Sequence, residues 1–202
     1  MKFSPSSLLL GLGAAGAMAQ ADVQDGPYAL KIVDAEDASL NGLWVDACHS
    51  GAAIDTPCFS ADAAGRELFY HNHTATGEAG PLIRYFNVDT GGDTPTRVPQ
   101  PLSLTYVPST NVANGLLSVG NTDPLNVAFD AAGKLFVRDY YDDSKFAAGE
   151  RPQPGSYDLY HWQVCWNLAS SYYYQSLAWV TSGNPHNPTC VAVNVTRVTP
   201  ED

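Results

Sequence analysis

Turn-forming residues punctuate this chain from end to end. Gly, Pro, Asn, Asp and Ser recur about every ten residues, and the apolar spacing of an amphipathic helix is absent. A rhythm that short suits strands joined by tight turns. About twelve apolar runs fall between the turns, among them YALKIV (28–33), LIRYFN (82–87), LSLTYV (102–107), DLYHWQVC (158–165), YYQSLAWV (173–180) and CVAVNVTRV (190–198). Several alternate with period two. Val191, Val193 and Val195 share one face of the last run and Ala192, Asn194 and Thr196 the other, which reads as one half-buried strand. The Pro- and Gly-rich segments 88–101 and 142–157 read as loops. Three echoes, LNGLWV, NGLLSV and AGKLFV, each place an apolar pair after a turn glycine. Three four-stranded units would account for them. The expectation is therefore an all-β, β-trefoil-like closed barrel of about twelve strands, with YALKIV and CVAVNVTRV close together; a two-sheet sandwich is the alternative.

The N-terminus carries Lys2, an apolar stretch over 8–17 and the small-x-small site Ala17-Met18-Ala19. This reads as a secretory signal peptide over 1–19, leaving one β-rich domain over 20–202. The apolar run is shorter than the ~20 residues of a membrane span. Lys2 is the leader's single charge, so the mature chain is one unit more acidic than the formal −11 of the whole. Such a surface repels nucleic acid and anionic lipid, so neither is expected as a partner. The four cysteines are even in number, as disulfides in a secreted chain require. Of three pairings, the sequence-local one is favoured: Cys48–Cys58 and Cys165–Cys190. No C-x-x-C argues for zinc.

The segments LNGLWVDACHSGAAIDTPC (40–58), PLSLTYVPSTNVA (101–113), VAFDAAGKLFV (127–137), LYHWQVC (159–165) and YQSLAWVTSGNPHNPTCVAVNVTRV (174–198) give the chain a further bearing. Across nearly the whole mature length it resembles a family of small fungal secreted proteins catalogued as a domain of unknown function. The resemblance implies secretion and a shared β-rich fold. It brings no reaction and no catalytic residues.

Two sequons, Asn72-His73-Thr74 and Asn194-Val195-Thr196, mark Asn72 and Asn194 for glycosylation. The first is flanked by His71. On a strand, His71 and His73 point one way and Asn72 the other, so a glycan on Asn72 turns both histidines inward beside Phe69. Two imidazoles could share an ion, but a site needs a third protein ligand. Spacing selects none of His49, Asp46 or Asp62, so the reading is structural histidines, no metal and no cofactor. DYYDD (139–143) lacks calcium-loop spacing and reads as a solvated strand exit. Ser118 in GLLSVG misses the nucleophile-elbow pattern by one position. No H-E-x-x-H and no phosphate-binding loop is present.

The aromatic content is the better lead. Trp162, Val164 and Trp166 share a face of their run, as do Tyr173, Gln175, Leu177 and Trp179 of the next; both sets read as core. Alternation then leaves Tyr172 and Tyr174 outward, as candidate ligand contacts for sugar rings. No catalytic residues are assigned. The expected function is a non-catalytic binding or cell-surface-associated module, with carbohydrate as its ligand. A secreted factor acting on another extracellular protein, such as a protease inhibitor or host-interacting protein using loops 88–101 and 142–157, is the alternative. A carboxylate-dependent hydrolase ranks third, because the sequence selects no pair of acids.

Overall fold

The computed structural model describes residues 23–89, 91 and 94–200. The leader expected over 1–19 lies outside them. Among the described residues the chain forms fourteen strands and two single-turn 3-10 helices. In order, the strands are β1 (Val23–Val33), β2 (Trp44–Gly51), β3 (Ile54–Ser60), β4 (Phe69–His73), β5 (Gly80–Val88), β6 (Thr96–Thr105), β7 (Val112–Ser118), β8 (Asn126–Phe129), β9 (Leu135–Asp139), β10 (Tyr157–Leu159), β11 (Trp162–Ala169), β12 (Tyr172–Val180), β13 (Val191–Ala192) and β14 (Asn194–Val198). All pairings are antiparallel, and eight strands close into a barrel in the order β1-β2-β3-β12-β7-β6-β5-β4 and back to β1. Closure leaves these strands no free edge.

The remaining strands flank that ring. β11 and β13 extend it beside β12, β14 lies along β1, and β8, β9 and β10 lead away from β5. A bridge between Lys134, just ahead of β9, and Thr196 of β14 brings this outer run back to β1. The all-β barrel expected from the sequence is therefore present, as is the pairing of its ends, where Ala29 faces Val198 and Val33 faces Asn194.

The threefold label fits loosely, and one echo explains why. Gly42 and Gly133 do sit in turns with positive φ. Gly115 lies inside β7, where an added Cβ would stand 2.8 Å from the Leu177 carbonyl of β12. It is glycine because two strands approach closely there, not because the chain turns. The final run also divides. Val193 donates its N–H to the Trp162 carbonyl (3.2 Å), so 191–192 pair with β11 and 194–198 with β1. Half of segment 88–101, expected as a loop, is strand, since β5 runs to Val88 and β6 begins at Thr96 opposite it. Successive N–H groups of a strand point to opposite neighbours, so Pro99 and Pro101 remove donors on one side only.

The larger of two core clusters includes Leu30, Ile32, Val45, Phe69, Leu82, Leu117, Trp162, Leu177 and Val195; the smaller holds Val112, Cys165, Ala178 and Val180. The inner faces of β4 and β5 carry polar groups at both ends. In register terms Phe69 faces Arg84 and His71 faces Leu82. At the first end Arg84 is buried. It donates to Gln100 Oε1 (2.6 Å) and Asp55 Oδ2 (2.6 Å), and pairs with Glu67. At the other end stand His71 and His73.

Candidate functional site

Period-two alternation places the sequon strand as expected. Phe69 and His71 are buried and His73 is half-buried on the inner face of β4, while Tyr70 and Asn72 lie on the outer face. The neighbouring strand brings in a residue no local motif contains. Asp25 of β1 is the cross-strand partner of His71, as Gln24 is of Asn72. Residues directly opposite in an antiparallel pair share a face, so Asp25 joins the two histidines. A register shift follows at Gly26-Pro27, a cis peptide. Gly26 has φ +120°, and a Cβ there would stand 2.9 Å from the Phe69 carbonyl. Only glycine lets β1 bend this close to β4.

Hydrogen bonds assign the protons. Among the described residues the only partner of His71 Nε2 is the Val127 carbonyl (2.9 Å). A carbonyl can only accept, so Nε2 carries the hydrogen and Nδ1 keeps a lone pair. His73 Nδ1 lies 2.8 Å from the Thr74 carbonyl and 3.0 Å from that of Gly77, so it too carries a hydrogen. His73 Nε2 then faces Asp25 Oδ2 at 3.1 Å. The two rings are 5.2 Å apart, and Phe129 stands edge-on to His71. Burial lowers the pKa of His71 and keeps it neutral. The Thr74 carbonyl and the Asp25 carboxylate raise that of His73 against some desolvation.

These groups open on a cavity of about 580 Å³ whose far wall holds Phe136, Arg138 and Arg197. Arg138 is paired with Asp158 (2.9 Å) and Glu78 (3.6 Å). Arg197 spreads its guanidinium over Phe129 and Tyr28, 4.8 and 5.1 Å from the ring centres. The arrangement offers imidazole and carboxylate donors side by side in a walled, polar recess.

The aromatic strands β11 and β12 make a different surface. Trp162 and Trp179 meet edge to face (4.8 Å) in the core, and Trp162 Nε1 donates to the Leu135 carbonyl (2.9 Å). Following the same face toward the hairpin tip, the core ends and the side chains emerge. Trp166 is 44% exposed, Leu168 64% and Tyr173 61%, and the Trp166 and Tyr173 rings stack at 5.3 Å and 26°. Trp166 and Tyr173, read from sequence as core, are thus surface residues. Tyr172 and Tyr174 stack on the opposite face at 5.9 Å and 7°. Tyr172 is exposed there, and Tyr174 is half-buried with its hydroxyl donating to the His49 carbonyl (2.9 Å).

The loop after β12 braces the tip. Asn187 Nδ2 donates to the Trp166 carbonyl (3.0 Å), Thr189 Oγ1 accepts from the Trp166 N–H (3.0 Å), and the disulfide Cys165–Cys190 ties the loop to β11. The other disulfide is Cys48–Cys58, across β2 and β3. A compositional signal accompanies this surface. Residues 161–196 and 98–122 contain no Asp, Glu, Lys or Arg, and they build β7, β11 to β13 and β6 beyond Arg97.

The remaining sequence candidates have local partners. Asn72 Oδ1 accepts from Gln24 Nε2 (2.7 Å), and Asn194 Nδ2 donates to Asp34 Oδ2 (3.2 Å). In DYYDD, Asp139 accepts from the Tyr140 N–H and Asp142 caps the 3-10 helix Asp143–Lys145.

The fold and its bonds define a two-disulfide, all-β barrel protein with a charged recess beside β4 and a neutral aromatic tip on β11 and β12. The chain belongs to the family described as Domain of unknown function (DUF7907), whose model matches residues 25–199. No curated protein and no solved structure matches it.

Proposed function

We propose that this protein is a secreted, non-catalytic binding module whose β11–β12 hairpin tip recognises neutral carbohydrate. The observation that carries the reading is the stacked, exposed Trp166–Tyr173 pair in a part of the chain without formal charge. Aromatic faces present a large rigid area with a negative π-surface, which suits the C–H-rich faces of sugar rings. Gln175, Asn187 and Thr189 offer amide and hydroxyl groups for sugar hydroxyls. No ionised group has to be stripped of water when an uncharged ligand settles there. The leader-like N-terminus and two disulfides are compatible with an extracellular setting, and glycans at Asn72 and Asn194 belong to the same proposal.

The test is co-sedimentation of the mature protein, made in a secreting host, with insoluble chitin, β-glucan and cellulose. Binding to one of them, reversed by its soluble oligosaccharide and lost in Trp166→Ala, supports the reading. No binding to any of the three removes it. A second reading, an extracellular protein partner, draws on the exposed Phe146 in segment 142–157 and on Tyr140 and Tyr141 just ahead of it. A pull-down lost on replacing that segment would establish it. A carboxylate hydrolase is less well supported. It calls for a carboxyl held upward, whereas the displaced ones, Asp34 beside Lys134, Asp37 on the Ser39 N–H and Asp142 on the Ser144 hydroxyl, are all held down.

A further inference from the structure

The recess beside β4 is independent of the aromatic tip, and its chemistry is more specific than a salt bridge requires. One nitrogen of His71, one of His73 and a carboxylate oxygen of Asp25 lie within 4.8 Å of one another. We infer that Asp25, His71 and His73 form a binding site for a divalent first-row transition-metal ion such as zinc.

Three observations support this. The first is the donor set. Two imidazoles and one carboxylate suit zinc and its neighbours, whereas calcium and magnesium favour all-oxygen shells. The second is orientation. Ligating histidines characteristically donate their other ring N–H to a carbonyl or carboxylate, which fixes tautomer and ring angle. Both histidines do this, His71 through Nε2 to Val127 and His73 through Nδ1 to Thr74 and Gly77. His71 is thereby left with a free lone pair on Nδ1, while His73 Nε2 shares a proton with Asp25 Oδ2 that a bound cation would replace. The third is His71 itself, only 3% exposed. Its Nδ1 has no hydrogen-bond partner among the described residues, yet no fully enclosed side-chain N or O among them lacks one. Nδ1 thus opens on the recess without a protein partner. The 3.1 Å between His73 Nε2 and Asp25 Oδ2 is close to the edge of a coordination shell with ligands at about 2.0–2.2 Å. His71, whose donor lies within 4.8 Å of the other two, has to move inward to complete it. Three protein ligands leave at least one position open, and it faces the cavity.

The experiment is calorimetric titration of the chelator-treated, dialysed, full mature protein with Zn²⁺, with Co²⁺ as an optical reporter. Saturable binding of one ion per chain is expected, at least tenfold weaker in His73→Gln and in Asp25→Asn and unchanged in His186→Ala. Circular dichroism checks that each variant is folded. A readout without any variant comes from the five histidine ring signals of the wild-type chain. Zn²⁺ should shift those of His71 and His73 and leave His49, His161 and His186 in place. The inference is overturned if neither ion binds saturably, if both variants bind as the wild type does, or if the shifted signals belong to the other histidines.

Discussion

The two sides of this barrel use polarity in opposite ways. Around β4, β5 and β9 almost every charged group is answered by another: Arg84 by Asp55 and Glu67, Arg138 by Asp158 and Glu78, His73 by Asp25. Around β11 and β12 there is no formal charge to answer. Order there comes from stacked rings, amide hydrogen bonds and the Cys165–Cys190 link. A region built on paired ions fixes direction and tautomer, whereas a region built on rings and amides presents area. The first suits a small, charged, directional ligand and the second an extended neutral one.

The contrast breaks first where a paired charge is removed. Arg84→Met leaves Asp55 buried and unanswered and Gln100 without its donor, and should cost about 3–5 kcal/mol, read as a lowered urea midpoint. If the loss is below about 1 kcal/mol, the charged side does not depend on its pairing. Next comes the neutral side's own tie. Cys165→Ser with Cys190→Ser should cost about 2–4 kcal/mol and also weaken polysaccharide binding, because the loop bracing Trp166 is released. Trp166→Ala sharpens the comparison by separating stability from binding. Its unfolding midpoint should stay near wild type, while carbohydrate affinity falls about tenfold or more.

Acid distinguishes the two sides more gently. His73 has its pKa raised on folding, so its contribution is full below the unfolded value of about 6.5 and is lost as pH climbs through the folded value. His71 has its pKa lowered. As pH falls below about 6.5 the unfolded chain takes up a proton the buried ring refuses, and stability drops. The two oppose each other in the wild type. In His73→Gln the His71 penalty stands alone, so with chelator present stability should fall more steeply from pH 8 to pH 5. Carbohydrate binding at the tip should not change over that interval. The smallest effect belongs to the sequons. Asn72→Gln and Asn194→Gln should each remove one glycan by mass spectrometry and change stability by less than about 0.5 kcal/mol.

What could be read in advance followed from local rules. Alternation in β4 set the histidines and Asn72 on opposite faces, and short spacing selected the two disulfide partners. The rest depended on what folding brings together from afar. Asp25 stands 48 residues from His73, and nothing near either announces the pairing. Alternation also assigns a face without saying where along a strand the core stops, so Trp166 looked as buried as Trp162. Gly115 resembled a turn because its true neighbour, the Leu177 carbonyl, belongs to another strand. The charge-free stretches were legible in composition, but they gain meaning only once β6, β7 and β11 to β13 lie side by side.

The pairing of β1 with β14 has a consequence for how the molecule is made. Chains emerge from the ribosome N-terminus first, at about 5–20 residues per second. β2 and β3 can pair, and Cys48 and Cys58 can meet, while most of the polypeptide is still being synthesised. β1 cannot complete its own neighbourhood until the last strand has followed it through. For that interval one edge of the first strand is bare, and the Asp25–His71–His73 corner lacks the β14 wall that carries Arg197. Assembly of the recess therefore waits for β14, however early the β2–β3 hairpin has formed.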